Sequence, residues 1–232
     1  MSKVDFVFLP RRCFTTSLFL FYLVFSFLPP AVSAGTKLQW VRATLPVGHA
    51  CPQTCFEQAD KEFAKRLVQL TTVQVEPKLK WLELTDLAQL VKYPFLFFHV
   101  DWEVDLPEPS VKNIREYIAR GGFIFAEDCL DCSARGNAQY QGLRRVWESK
   151  IFPGKSLVRL PKTHPIFQQP YDLTKTVPKL MSDVGGMGFY DEKGRLVLFI
   201  SSFGVNCHWN VHQDVEDLYR LRTNVMTYVL TH

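Results

Sequence analysis

The chain has 232 residues, with 27 Lys and Arg against 23 Asp and Glu and a formal net charge of +4. A balance this close to neutral, with no clustered basic stripe, gives nucleic acid nothing to hold electrostatically and excludes that class of partner. Hydrophobic residues make up 47 % of the chain, enough for a sizeable core.

The first segment reads as a targeting signal. Lys3, Arg11 and Arg12 supply positive charge, residues 18–28 are apolar apart from Tyr22 and Ser26, and Pro29-Pro30 ends any helix. Val32-Ser33-Ala34 then offers small residues at signal-peptidase spacing, the order of a secretory signal. A membrane span needs about 20 apolar residues, and this core is too short before its prolines. The expectation is a signal peptide over 1–34 and a single α/β domain over 35–232, periplasmic or otherwise exported. Cleavage removes Lys3, Arg11, Arg12 and Asp5, leaving 24 basic and 22 acidic side chains and no transmembrane span in the mature chain.

Residues 38–44 read as the first strand, with Pro46, Gly48 and Pro52 marking the loop behind it. Thr54 with Glu57 is a capping box for a helix to about Leu70, in which Phe56, Ala59, Phe63, Leu67 and Leu70 recur at helical spacing. A short strand at 81–84 and a helical turn at 86–91 follow. Residues 95–100 and 122–126 are short apolar runs bounded by turn residues, as expected of strands buried on both faces of a parallel sheet. Between them Ser110 caps a helix carrying Val111, Ile114 and Ile118, and Gly121 closes it. A further helix is expected over 138–150, with Leu143, Val146 and Trp147 inward. Residues 155–188, rich in proline and ending near Gly185-Gly186, read as irregular. The last strand is 196–201, and a helix over 215–230 places Leu218, Leu221, Val225 and Val229 on one side. Strands alternating with helices predict a doubly wound, mostly parallel sheet with helices on both faces.

In such a sheet, ligands bind outside the carboxyl ends of the strands. Behind the first strand stand Cys51 and Cys55, spaced C-x3-C; at the end of the 95–100 strand stand His99 and Asp101. Glu127, Asp128, Cys129, Asp131 and Cys132 follow the 122–126 strand, with the cysteines spaced C-x2-C, and Asn206, Cys207 and His208 follow the last. Every cysteine outside the signal thus falls on one expected edge. Structural disulfides come first among the readings because export permits them, and an odd count of cysteines leaves one thiol over. A tetrahedral zinc site, a redox dithiol at Cys129 and Cys132, and a cysteine nucleophile stay open behind them. No cofactor is expected, zinc being the metal that thiolate and imidazole at C-x2-C spacing would suit. Glu127 and Asp128 are expected to cap the turn after their strand, with an acid/base pair or cation site as the alternative. His164 is expected to be a hydrogen-bonded loop residue rather than a ligand.

Tyr93-Pro94-Phe95-Leu96-Phe97-Phe98, Tyr117 through Gly121-Gly122-Phe123-Ile124-Phe125-Ala126-Glu127-Asp128-Cys129, and Ile151-Phe152-Pro153-Gly154 resemble the bacterial domain of unknown function 4159. So do Leu160-Pro161-Lys162-Thr163-His164-Pro165-Ile166-Phe167 and residues 224–232. Members of that family are similar to class I glutamine amidotransferase-like domains, so the resemblance implies that kind of flavodoxin-like α/β fold. The family has no established reaction, and the likeness implies none. A glutamine amidotransferase sets its cysteine in a tight elbow between small residues. Here Cys129 stands between Asp128 and Leu130, and Cys132 between Asp131 and Ser133, with no His-x-Glu pair to complete a triad. Family members show Gly-His after the third strand where this chain has His99-Val100-Asp101, whereas Glu127-Asp128 keeps the acidic pair. The C-x3-C at Cys51 and Cys55 is an addition to the pattern. The expected function is non-catalytic binding of a small ligand or envelope protein at the carboxyl edge. The alternative is a metal-assisted hydrolase or thiol oxidoreductase at the same edge.

Overall fold

The computed structural model describes residues 37–44, 53–100, 105–128, 144–176, 186–201 and 215–232, with the side chains at 53–56, 100, 128 and 215 left undescribed. The strands are β1 (Val41–Thr44), β2 (Lys80–Glu83), β3 (Phe95–Val100), β4 (Phe123–Asp128), β5 (Val158–Arg159), β6 (Met187–Tyr190) and β7 (Leu196–Ser201). The helices are α1 (Gln53–Leu70), α2 (Leu87–Leu90), α3 (Glu108–Ala119) and α4 (Val215–Thr231). All seven strands join one sheet in the order β2-β1-β3-β4-β7-β6-β5. The first five in that order run parallel, and β6 and β5 add an antiparallel margin.

Each strand buries alternate residues on opposite faces, and each face has its own helices. Phe95, Phe97, Phe123, Phe125 and Phe199 pack with Trp40 under Phe63 and Leu67 of α1 and Leu218, Leu221 and Val225 of α4. Leu96, Phe98, Ile124, Ala126 and Leu198 face Leu90 of α2, Val111, Ile114 and Tyr117 of α3, and Trp147. Burying a Phe or Leu side chain contributes about 1.5–3 kcal/mol, so these two layers supply most of the drive to fold. The mostly parallel α/β sheet, covered on both faces, is the architecture that the alternation of strands and helices implied.

Several local expectations change. α1 begins at Gln53, so Thr54 stands in its first turn rather than at its cap. α3 begins at Glu108 behind Pro107, which leaves Ser110 inside the helix and buried. Pro109, in the first turn, has no N–H to waste and already holds helical φ, so α3 opens without a serine cap. β4 runs on through Glu127 and Asp128, two residues past the apolar run. The stretch read as irregular holds β5, a single turn at Pro165–Phe167 and the start of β6. These pieces are too short to show a period, and β6 owes its place to the turn behind it, where the Asp191 carboxylate accepts from Lys193 N and Arg195 N, both at 2.9 Å. Of the helix expected over 138–150, residues 138–143 lie outside the described residues; the part from 144 is helical and buries Val146 and Trp147.

Gly121 takes φ +100 behind α3, a conformation that side chains oppose. Arg195 reaches from the start of β7 to the carbonyls of Ile118 (2.9 Å) and Gly121 (2.8 Å), closing the end of α3. Next to it, the Tyr117 hydroxyl is shared between the carbonyls of Tyr93 (3.1 Å) and Phe123 (3.3 Å), and burial pushes its pKa up. A Cβ on Gly122 would stand 2.3 Å from Cε1 and Cζ of that ring. Gly122→Ala is expected to lower the unfolding free energy by about 1–3 kcal/mol as an overpacking change, and Tyr117→Phe by about 1 kcal/mol through the lost hydrogen bond. Urea unfolding monitored by circular dichroism measures both, and an unshifted midpoint for Gly122→Ala would contradict this packing.

Candidate functional site

The parallel register aligns side chains across the sheet in rows. One row on the α1/α4 face is Trp81, Arg42, Phe97, Phe125 and Phe199. Two residues further toward the carboxyl edge, β2 pairs Glu83 with Thr44, β3 pairs His99 with Glu127, and β4 pairs Glu127 with Ser201. Extending the Arg42–Phe97 register by two residues brings Thr44 beside His99. The sheet thus changes from aromatic to polar in a single step, and His99, Glu127 and Ser201 are buried in that polar row.

Below the row lies a network of four charged side chains, each no more than 1 % exposed: Arg42, Asp60, Glu127 and Arg222. Arg42 of β1 donates to the Asp60 carboxylate of α1 through Nε and, at 2.8 Å, through Nη2. Arg222 of α4 donates to Glu127 of β4 through Nε at 2.6 Å and through Nη2. The two pairs meet where Arg222 Nη1 lies 3.8 Å from Asp60 Oδ1. Nη1 has no hydrogen-bond partner among the described residues. Both guanidinium carbons sit over the Phe97 ring, Arg42 at 4.5 Å and Arg222 at 5.0 Å from its centroid, an attraction that strengthens away from water. Burial works against the charge on Arg222, and the Glu127 carboxylate, with Asp60, outweighs it, so the Arg222 pKa is raised.

Sequence reasoning found Glu127 and His99 and missed Arg42, Asp60, Arg222 and Ser201. A signal was present. Asp60 falls between Phe56 and Phe63 on the apolar stripe of α1, and Arg222 between Leu218 and Val225 on that of α4, positions where charge is kept only with a partner. Glu127, expected to cap a turn, instead lies within β4 and gives both oxygens to Arg222. The backbone of Asp128 ends β4, but its side chain is outside the described set, as is that of Cys55 in α1. Cys51, Asp101, Cys129, Cys132, Asn206, Cys207 and His208 lie outside the described residues. Among the described residues, no group of three or more His, Cys, Asp and Glu side chains could hold a metal ion, and no helix is long and apolar enough to cross a membrane.

A seven-stranded, mostly parallel sheet with helices on both faces and a polar carboxyl edge defines an α/β domain. The chain belongs to the family described as Domain of unknown function (DUF4159), which it matches over residues 43–230, from the end of β1 nearly to the end of α4. No curated protein matches the sequence.

Breaking one buried ion pair strands its partner in a medium that cannot solvate it. Glu127→Leu is therefore expected to destabilise the fold by about 3–5 kcal/mol, and the double change Glu127→Leu with Arg222→Met to recover much of that loss. Guanidinium unfolding of the single and double variants gives the comparison; equal losses in both would mean that the pair is not a unit.

Proposed function

We propose that the protein is an exported, non-catalytic binding domain of the flavodoxin-like, class I glutamine amidotransferase-like kind. On this reading, it holds a small ligand or an envelope protein at the carboxyl edge of its sheet. The observation that supports the reading is the buried polar row at that edge, with Glu127 committed to Arg222. A general acid or base must exchange its proton with substrate. A carboxylate that gives both oxygens to a guanidinium is occupied by that pair and serves as a fixture. The row order also disfavours a serine nucleophile: Glu127 stands between His99 and Ser201, whereas the relay needs the imidazole between hydroxyl and carboxylate.

The strand order reverses between β1 and β3, which puts the crevice used by doubly wound sheets beside Thr44 and His99. On this reading the segments with Cys51, Cys129, Cys132 and Cys207 follow strands that end at the same edge, and disulfides tie them together after cleavage of residues 1–34. Thiol titration of the folded, exported protein, with metal analysis on the same sample, tests it. One free thiol per chain and no bound metal is the expected result. Stoichiometric zinc, or a Cys129–Cys132 pair that oxidises and reduces reversibly, would replace the binding domain by an enzyme.

A further inference from the structure

At the amino edge of the sheet, far along α4 from Arg222, lies a cluster that the carboxyl-edge reading does not use. His164 opens the turn Pro165–Phe167, and its Nδ1 accepts from Ile166 N at 3.3 Å. Its ring stands 5.3 Å from that of Tyr228 and 6.4 Å from that of Tyr190. The other face of the cluster is His232, stacked on Tyr228 at 4.4 Å and 13°. The turn seats residues 160–176 on the core: Leu160, Ile166, Phe167 and Leu173 are buried. Asn224 of α4 binds the carbonyls of Ile166 (2.9 Å) and Tyr171 (2.8 Å) and accepts from Tyr171 N (3.0 Å).

We propose that His164 is a pH-sensitive latch: as a neutral imidazole it caps the turn that seats residues 160–176 on α4, and protonation in mild acid loosens that segment. The cap can exist only while Nδ1 carries a lone pair. A protonated imidazole has two N–H groups and no acceptor, so Ile166 N–H and Nδ1–H would then face each other. Among the described residues, the groups that face the ring are Tyr190, Tyr228, Asp191 with Arg195, Lys162 and His232. Tyr190 of β6 and Tyr228 of α4 are both shifted upward by burial and stay neutral. Asp191, in the β6–β7 turn, is partly buried, and hydrogen bonds from Arg195 N and Lys193 N outweigh that burial, so its pKa is lowered and it stays ionised. It is paired with Arg195 at 3.3 Å.

The direction follows from linkage. Burial, and then His232, lower the His164 pKa in the closed form, so the open form takes up protons more readily. Closure is complete above the ordinary imidazole value of about 6.5, weakens as pH falls through it, and levels off below the lowered value.

Amide hydrogen exchange of the full exported protein at pH 7.5 and 5.0, corrected for intrinsic rates, tests the latch. Protection at Ile166, Phe167 and Leu173 is expected to fall by about three- to tenfold more than in β3 and β4, the net worth of one lost hydrogen bond. His164→Asn keeps an acceptor at the cap without the titration and should abolish that extra loss. Equal behaviour of wild type and His164→Asn would overturn the proposal. So would an NMR titration of wild-type His164 at or above the ordinary value with the Ile166 amide unmoved, a readout that stands even where the variant does not fold.

Discussion

Four charged side chains, two guanidiniums and two carboxylates, are buried together under the carboxyl edge of the sheet, and much else depends on how they are matched. Their charges cancel, each carboxylate meets a guanidinium fork at two oxygens, and Phe97 lies under both cations. Desolvating these ions costs several kcal/mol each, which only such close pairing offsets. The pairs join four separate elements, with β1 bound to α1 and β4 to α4. The network therefore fixes the helices of one face against the strands in a particular register, which apolar packing by itself would tolerate being shifted.

That fixed register is what gives the edge its order. Because β2, β1, β3, β4 and β7 are parallel, their last residues lie side by side, and the row after the aromatic one is polar throughout. Glu127 belongs to both structures at once: it is a member of the network and stands in the polar row between His99 and Ser201. A carboxylate so placed ties the geometry of the row to that of the network. The amino edge is built on a different principle. There Arg195 closes α3 on backbone carbonyls, and Asn224 and His164 hold an irregular segment by hydrogen bonds that do not depend on buried ions.

Periodicity in the chain was a good guide wherever an element was long or continuously apolar. The runs that became β3 and β7, and the stripes of α1 and α4, are visible without coordinates, because burial on a defined face imposes a spacing. It was a poor guide at element ends and in short pieces: Ser110 looked like a cap and is buried in α3, and β5 and β6 are too brief to carry a pattern. Local pattern makes Glu127 a residue that follows a strand and caps a turn, whereas the guanidinium that takes both its oxygens, Arg222, is 95 positions away on α4.

By itself the sequence determined the alternation of strands and helices and the aromatic core, since each follows from residues near one another along the chain. Only the tertiary structure decided that Arg42, Asp60, Glu127 and Arg222 form one network, that His99 and Ser201 flank Glu127, and that the sheet gains an antiparallel margin. Those pairings join residues distant in the chain, and the free energy that selects them exists only once the interior has excluded water.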